Sequence, residues 1–430
     1  MKSLLLSDVT NNSNDIQEFN NAISPDGKFV YITHIINPNV PPSTSLVIAE
    51  LFENVDGKLI SIKQLSLDPN FPIISSGCAA RNFQLFAILD IDNRTTNILG
   101  QGRLRLFDLQ FNQVGNPFIF NDVNIQTLSL NVSKFSFSFD NHYLVVSYIN
   151  STDPQHLTGV TKLLDISNPF NIIVTSTVPF NGFSNGASFF ELSSYHSIKS
   201  YLIIPSTNAI GSTFTSLRFV APAQIQIFRI LKNGLLRFLD STFLPQLIYA
   251  AEPFNYKCTD KTYIIVTNQV SFIPGHPVPF DSILTNATSS GITPFPPFTN
   301  DNTQLHIFQF TRRRQRLKLI INENINTSVR DIAWYPNGKF FLASVVASPF
   351  VLSQTLPTNP LVFFSIVQPI LLVLYKFNID SITTLNEFHV GPTAPSNYFS
   401  ANGSWLIVGG GSGVGAATDI VSTSLYKVIN

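Results

Sequence analysis

The feature that most constrains the fold of this chain is a short pattern that recurs seven times. Each copy has a few apolar residues, a tight polar turn and then an extended apolar strand. The turns are centred on Gly27, Phe83, Asn141, Lys199, Asp260, Gly338 and Gly403. The intervals between these centres are 56, 58, 58, 61, 78 and 65 residues. A hairpin repeated at such a period predicts radial all-β repetition, which is a β-propeller.

A second hairpin follows each of these turns. Its first strand alternates polar and apolar residues in several copies, such as 103–109 and 304–310, as half-buried strands do. Its second strand is expected at 58–67, 115–120, 171–180, 235–244, 316–323 and 382–390. The sequence therefore predicts seven four-stranded antiparallel blades, and no window shows a helical stripe.

The two termini predict how the ring closes. The seventh repeat ends at Asn430 after its third strand, and residues 1–10 form an orphan apolar strand that contains Leu4, Leu5 and Leu6. An N-terminal strand that completes the last blade would remove two open sheet edges. We therefore expect one β-propeller domain over residues 1–430.

Two of the turns carry a resemblance to a known group. Residues 24–28 read Ser-Pro-Asp-Gly-Lys and residues 335–339 read Tyr-Pro-Asn-Gly-Lys, each before an apolar strand. They resemble the seven-bladed propellers of the lactonase, YVTN and TolB-like superfamily. The resemblance concerns the fold. A lactonase-like activity would imply an acid, a base and a cation at the channel mouth, which Glu252, Arg330 and Lys134 imitate without a contiguous motif.

The charge composition restricts the partners. Lys and Arg total 26, Asp and Glu total 26, and the net charge is zero, which argues against a protein held to nucleic acid by counterion release. Zero net charge and 38 Phe residues favour self-association. The chain shows neither a signal peptide nor a membrane-spanning stretch. We expect cytoplasmic synthesis, with or without incorporation into a particle.

The sequence predicts no reactive cysteine, metal site or cofactor site. The two cysteines, Cys78 and Cys258, are expected on separate blades as free thiols. The seven histidines lack metal-ligand spacing, so neither a metal nor a cofactor is expected. The basic run 312–316 is interpreted as a solvated turn, and the Gly-rich run 409–415 as a loop.

Polar residues at the starts of the inner strands are candidates for a ligand site at the channel mouth. They are Asn20, Ser76, Lys134, Asn185, Glu252, Arg330, Asp331 and Asn397. They suit a small polar ligand or a cation, because acidic and amide oxygens bind hard ions. The alternative is a water-filled channel lined by paired side chains, and none of these residues is assigned a catalytic role.

The connections from second to third strand are long and are expected on one face of the ring. They are 34–44, 150–159, 207–222, 268–303, 347–369 and 409–423. The longest is rich in Pro and Phe and contains the candidate interaction residues Pro274, Phe280, Phe295 and Phe298. Such a loop suits docking to a partner or packing on the protein's own surface.

These features favour a non-enzymatic propeller that acts as a protein-binding or structural module. A component of a larger particle or shell, of the virion or spore-coat type, fits the neutral charge and the aromatic loops. The alternative is a lactonase-like hydrolase or a small-ligand binder that uses the channel mouth.

Overall fold

The computed structural model describes most of the chain outside the long connections. The described residues are 3–7, 16–36, 46–66, 73–91, 99–124, 136–151, 153, 156–182, 184, 186–194, 197–210, 218–244, 248–254, 260–268, 304–325, 329–346, 370–390, 396–409 and 424–429. Within these ranges the chain forms strands β1 to β28 and no helix. The all-β class is confirmed.

The strands form seven four-stranded sheets, and each sheet is one blade. Blade 1 consists of β2 (Ile16–Ile23), β3 (Phe29–Ile36), β4 (Leu46–Val55) and β5 (Lys58–Ser66). Blade 2 consists of β6 (Ile73–Ala79), β7 (Phe86–Ile91), β8 (Leu99–Phe107) and β9 (Phe118–Asn124). Blade 3 consists of β10 (Ser136–Phe137), β11 (Tyr143–Ile149), β12 (Thr158–Asp165) and β13 (Ile173–Asn181).

The second half of the ring repeats this order. Blade 4 consists of β14 (Ser188–Ser194), β15 (Ser197–Ile210), β16 (Arg218–Ile230) and β17 (Leu236–Leu244). Blade 5 consists of β18 (Ile248–Pro253), β19 (Lys261–Asn268), β20 (Gln304–Thr311) and β21 (Leu317–Asn324). Blade 6 consists of β22 (Val329–Trp334), β23 (Phe340–Val346), β24 (Ile370–Asn378) and β25 (Ser381–Val390).

Blade 7 joins the two ends of the chain. Its strands are β26 (Ser396–Phe399), β27 (Trp405–Gly409), β28 (Ser424–Ile429) and β1 (Ser3–Ser7). Strand β1 pairs antiparallel with β28, from Ser3 opposite Ile429 to Ser7 opposite Leu425. The predicted seven-bladed propeller, closed by the N-terminal strand, is therefore confirmed.

A serine fixes the turn after the inner strand in three blades. In blade 1 the Ser24 hydroxyl donates to Asp26 Oδ1 (2.7 Å) and accepts from the Phe29 amide (2.9 Å). Ser138 in blade 3 and Ser400 in blade 7 make the same two bonds. A short side chain that bonds its own backbone stabilises a tight turn, which explains why the turn recurs.

Five of the seven predicted turn centres adopt a left-handed backbone, with φ between 57° and 77° at Gly27, Phe83, Asn141, Gly338 and Gly403. The other two centres are wrong. In blade 4, Ser194 already pairs with Ser197, so Lys199 lies inside β15. In blade 5, the amide of Phe254 donates to the Tyr263 carbonyl, so the turn is longer than in blade 1 and Asp260 lies next to β19.

The core lies between successive blades. At the joint of blades 4 and 5, Phe190 stacks on Tyr201 with ring centroids 5.1 Å apart, and Phe310 meets both rings edge-on. All three side chains are buried. Aromatic pairs of this kind contribute beyond the area that they bury, so each blade is stabilised by its neighbours rather than alone.

Glycine at the turn centre allows a close joint between blades. A Cβ atom at Gly27 would overlap the Trp405 ring of blade 7. One at Gly403 would lie 2.7 Å from the Tyr335 hydroxyl of blade 6, and one at Gly338 would lie 2.9 Å from Phe254 of blade 5. Three successive joints therefore place a glycine turn on an aromatic ring.

Several predicted connections are partly strand, since β3 continues to Ile36 and β12 begins at Thr158. The largest difference is at 207–222, where β15 continues to Ile210 and β16 begins at Arg218. A β-bulge between Thr207 and Asn208 shifts the register and lets the antiparallel ladder continue. The predicted loops 268–303 and 347–369, apart from Asn268, lie outside the described residues.

Candidate functional site

The inner strands enclose a cavity of about 350 Å³ around the ring axis. Every blade contributes an inner-strand residue to its wall, and these residues are Ala22, Cys78, Ser136, Ser188, Glu252, Ala333 and Tyr398. The lining is mainly small and aromatic, with Glu252 and Arg81 as its charged residues among those described. A cavity of this size has room for a small organic molecule.

The β-bulges of the inner strands show which predicted site residues occupy equivalent positions in their strands. Register shifts precede Asn20, Ser76, Ala250 and Asp331 in their strands. These positions are therefore equivalent, and Glu252 lies two residues further toward the turn. Glu252 was predicted at this position by its distance in sequence from Asp260. The turn of blade 5 is longer than that of blade 1, so this distance does not match the other blades.

The other predicted site residues are described only in part. Arg330 lies in β22 and Asn397 in β26, but their side chains, like those of Asn20 and Ser76, lie outside the description. Lys134 and Asn185 lie outside the described residues altogether, as do the interaction-loop residues Pro274, Phe280, Phe295 and Phe298. The predicted ligand set therefore stays a prediction.

Glu252 and Asp331 have different environments. Glu252 is half-buried and lines the cavity, and its backbone carbonyl accepts a hydrogen bond from Trp334 Nε1 (3.2 Å). Asp331 is 1% exposed, next to the cavity residue Ile332. Of the two acids, Glu252 is the one in the cavity wall.

Arg81 is a cavity residue that the sequence analysis did not find. Its guanidinium carbon lies 3.6 Å from the centroid of the Phe139 ring, a close cation–π contact between blades 2 and 3. Arg81 lies in a turn, whereas the predicted site residues lie at the starts of the inner strands. A cation in three of the seven turns, at Lys28, Arg81 and Lys339, was the available signal.

Cys78 also lines the cavity and is a free cysteine, as predicted. Desolvation by burial raises the pKa of its thiol well above the usual value. A nucleophilic cysteine needs a lowered pKa, because the thiolate is the reactive form. Cys78 is therefore suited to packing, and Cys258 lies outside the described residues.

A buried ion cluster joins two strands of blade 2 away from the cavity. The Asp90 carboxylate is fully buried and accepts from Arg103 Nη2 (2.9 Å) and Arg105 Nε (2.8 Å) through the same oxygen. Strands β7 and β8 place Asp90 directly opposite Arg103. Removing one member would leave buried charge uncompensated, so this cluster is structural.

Among the described residues, no group of three or more His, Cys, Asp or Glu side chains is arranged to hold a metal ion. No helix in that part of the chain is long and apolar enough to cross a membrane.

The outer hairpins of the blades expose large apolar side chains. Exposure reaches 69% at Phe170 and 64% at Phe243. The exposed set is Val55, Ile60, Ile62, Ile119, Phe170, Ile173, Val174, Ile198, Leu235, Phe238, Phe243, Leu319, Ile379 and Leu385. All except Ile198 lie in a third strand, an outer strand or the turn between them, and they are spread over blades 1 to 6.

Comparison with known proteins shows the fold. No protein-family model matches the sequence, and no curated protein is similar to it in sequence. A chain of hydrazine synthase from Kuenenia stuttgartiensis is similar in structure, with a TM-score of 0.54 and 8% identity over 94% of each chain. A chain of the mitotic checkpoint complex has a TM-score of 0.51 and 9% identity, covering 100% of this chain and 94% of its own.

A 6-phosphogluconolactonase-like protein from Bacteroides fragilis is also similar, with a TM-score of 0.41 and 10% identity over 94% of this chain and 86% of its own. At these identities, the two chains with TM-scores above 0.5 show the fold alone and transfer no activity. The seven-bladed propeller that the sequence resemblance implied is confirmed by the strand pairing itself.

Proposed function

We propose that this protein is a non-enzymatic β-propeller, one domain over residues 1–430, that acts as a protein-binding or structural module. The observation that carries the proposal is the band of exposed apolar side chains on the outer hairpins of blades 1 to 6. Outer strands leave one edge of each sheet unpaired, and natural proteins usually protect such edges with charge. Apolar side chains there favour burial against another protein.

Two further features support this proposal. The net charge is zero, so long-range repulsion between copies is weak. The similar chain in the mitotic checkpoint complex belongs, by its description, to a protein assembly. A component of a larger particle or shell, of the virion or spore-coat type, is the finer form of the proposal.

The test is to add charge to the apolar band. The variant Phe170→Asp/Phe243→Asp changes two exposed positions, so we expect it to fold normally and to self-associate less than the unmodified protein. Thr177→Asp/Thr383→Asp adds the same charge at exposed polar positions of outer strands and is the matched control. Sedimentation velocity over a range of concentrations measures association. The proposal is contradicted if the unmodified protein stays monomeric. It is also contradicted if the control associates as weakly as the Phe variant.

The Phe-rich connection gives a second test. Deleting residues 270–298 removes the candidate interaction residues Pro274, Phe280, Phe295 and Phe298, and we expect reduced association with the fold intact, since surface insertions are tolerated thermodynamically. Circular dichroism checks the fold of the deletion variant. Unfolding with association retained would mean that the segment packs on its own domain.

A second candidate function is supported by the axial cavity. A small-ligand binder or lactonase-like hydrolase would use Glu252 as its acid and Arg81 as its cation, because both line the cavity. We expect Glu252→Ala to abolish the thermal stabilisation that a bound ligand gives. Asp331→Gln, at a buried position outside the wall, should change the melting temperature without changing the ligand-induced shift. A panel of lactones and divalent cations that leaves the melting temperature of the unmodified protein unchanged contradicts this candidate.

A further inference from the structure

The joint between blades 4 and 5 concentrates positive charge in a chain whose net charge is zero. Arg229 in β16 pairs with Tyr201 in β15 and with Arg237 in β17, so these three side chains lie on one face of blade 4. Lys199 lies on the same face, two residues before Tyr201. This is the face that packs against blade 5, through Tyr201 and Phe310.

Blade 5 adds a fourth cation to this face. The Arg312 guanidinium donates to the Ser197 carbonyl and to the Ser197 hydroxyl, two residues from Lys199. Arg237 Nη2 donates to Gln315 Oε1 (3.2 Å) in the same turn. The turn 312–316 was interpreted as a solvated basic run, but Arg312 and Gln315 tie it to blade 4.

The acceptors around these cations are neutral. Arg312 bonds carbonyl and hydroxyl oxygens, Arg237 bonds an amide oxygen, and among the described residues no carboxylate forms an ion pair with either. Asp240 lies opposite Ile227 on this face, and its Oδ2 accepts the Leu317 amide (2.7 Å). Uncompensated like charges repel, so a cluster of this kind is stabilised by an added anion.

Within the described part of the chain, two buried polar atoms of the cluster have no hydrogen-bond partner. They are Arg229 Nε and the Tyr201 hydroxyl, and Tyr201 is fully buried. A buried donor without a partner destabilises the folded state, and such donors are uncommon in native proteins unless a ligand or ion supplies the acceptor. Both atoms are donors, as an oxyanion requires.

The electrostatics of the neighbouring groups agree with this geometry. Burial lowers the pKa of Lys199, and Arg229, Arg312 and Arg237 lower it further. Burial raises the pKa of Tyr201, whereas the same three guanidinium groups act to lower it. The phenol and the ammonium therefore lie in the field of the same three cations.

We propose that Lys199, Tyr201, Arg229, Arg237 and Arg312 form a binding site for a phosphate-type oxyanion at the joint of blades 4 and 5. Arg229 Nε and the Tyr201 hydroxyl would donate to it from the buried side, and Lys199 and Arg237 would bind it from the solvent side. None of these five residues lines the axial cavity or belongs to the set of exposed apolar side chains.

The experiment measures binding of inorganic phosphate and pyrophosphate to the full chain by isothermal titration calorimetry, with sodium chloride of equal ionic strength as the reference. We expect saturable binding of one anion per chain. Lys199→Gln and Arg229→Gln should each weaken it at least tenfold. Tyr201→Phe should weaken it without lowering the melting temperature, because it removes an unpartnered hydroxyl. Lys376→Gln, at an exposed position of blade 6, is the matched control and should bind as the unmodified protein does.

Several results would overturn the proposal. The first is a heat of injection for phosphate that is no greater than that for sodium chloride. The second is equal phosphate affinity of Lys199→Gln and Lys376→Gln. A third is binding of a single-stranded oligonucleotide with a steep salt dependence and none of phosphate or pyrophosphate, which would indicate a nucleic-acid surface instead. Should Arg229→Gln fail to fold, Lys199→Gln decides the outcome, because Lys199 is partly exposed.

Discussion

Replacing Gly27 with alanine tests the joint that closes the ring. Gly27 has φ +77°, and a Cβ atom there would overlap the Trp405 ring across the boundary of blades 1 and 7. A left-handed backbone costs an L-residue about 1–2 kcal/mol, and overpacking adds about 1–3 kcal/mol. We therefore expect Gly27→Ala to lower the free energy of unfolding by about 2–5 kcal/mol.

Blade 3 provides the control for this change. Asn141 occupies the equivalent turn position with φ +57°, so this turn already holds a side chain. Asn141→Ala should cost about 1 kcal/mol, because Ala tolerates the left-handed region less well than Asn. The larger loss of unfolding free energy expected for Gly27→Ala includes the clash with Trp405 at the ring joint.

Guanidinium unfolding followed by tryptophan fluorescence measures both variants, since the chain has two tryptophans. A second change, Trp405→Leu, should reduce the cost of Gly27→Ala, because residues in contact are not additive. Equal destabilisation by Gly27→Ala and Asn141→Ala would refute the argument, and so would strict additivity of Gly27→Ala and Trp405→Leu.

The remaining predictions concern pH, buried charge and closure. Burial lowers the pKa of His306 from 6.5 to about 4. The neutral form therefore stabilises the fold above pH 6.5, by roughly 3 kcal/mol. This stabilisation is lost as the pH falls toward 4. His306→Leu should flatten the unfolding free energy over that window, and an unchanged slope would contradict the assignment. Asp90→Ala should cost about 3–5 kcal/mol because it leaves two arginines around a missing carboxylate, whereas a loss below 1 kcal/mol would show that they rearrange. Deleting residues 1–10 should cause aggregation or a large fall in melting temperature, because it exposes the edge of β28, and an unchanged melting temperature would count against closure.

The fold could be predicted from the sequence because it depends on local patterns. A Ser24 or Ser400 turn followed by an apolar strand is visible in the sequence, and its repetition determines the number of blades. The exact register was less predictable. Because of the bulge before Ala250 and the long turn after Phe254, Glu252 lies two residues closer to the turn than predicted.

The sites were harder to predict because their residues meet through pairing between strands and blades. Lys199 and Arg229 are 30 positions apart and lie on one face only because β15 and β16 pair in a particular register. Arg312 reaches them from another blade. Neither the spacing of residues in the sequence nor its composition indicates such a cluster. A motif within one turn, in contrast, can be recognised from the sequence.

The most direct test of the account is a cross-link between the two ends of the chain. Leu5 lies opposite Lys427 in the pairing of β1 with β28, and facing residues of an antiparallel pair lie within the Cα separation that a disulfide needs. In a background of Cys78→Ala and Cys258→Ala, the pair Leu5→Cys and Lys427→Cys should oxidise to a covalently closed chain.

The matched control moves one cysteine by a single residue. The pair Leu5→Cys and Val428→Cys should link poorly, because neighbouring side chains on a strand point to opposite faces. Peptide mass spectrometry after mild oxidation measures both yields. Our account predicts near-complete linkage of residues 5 and 427 with an unchanged melting temperature. Equal linkage of the two pairs, or none of either, would contradict a propeller closed by its N-terminal strand.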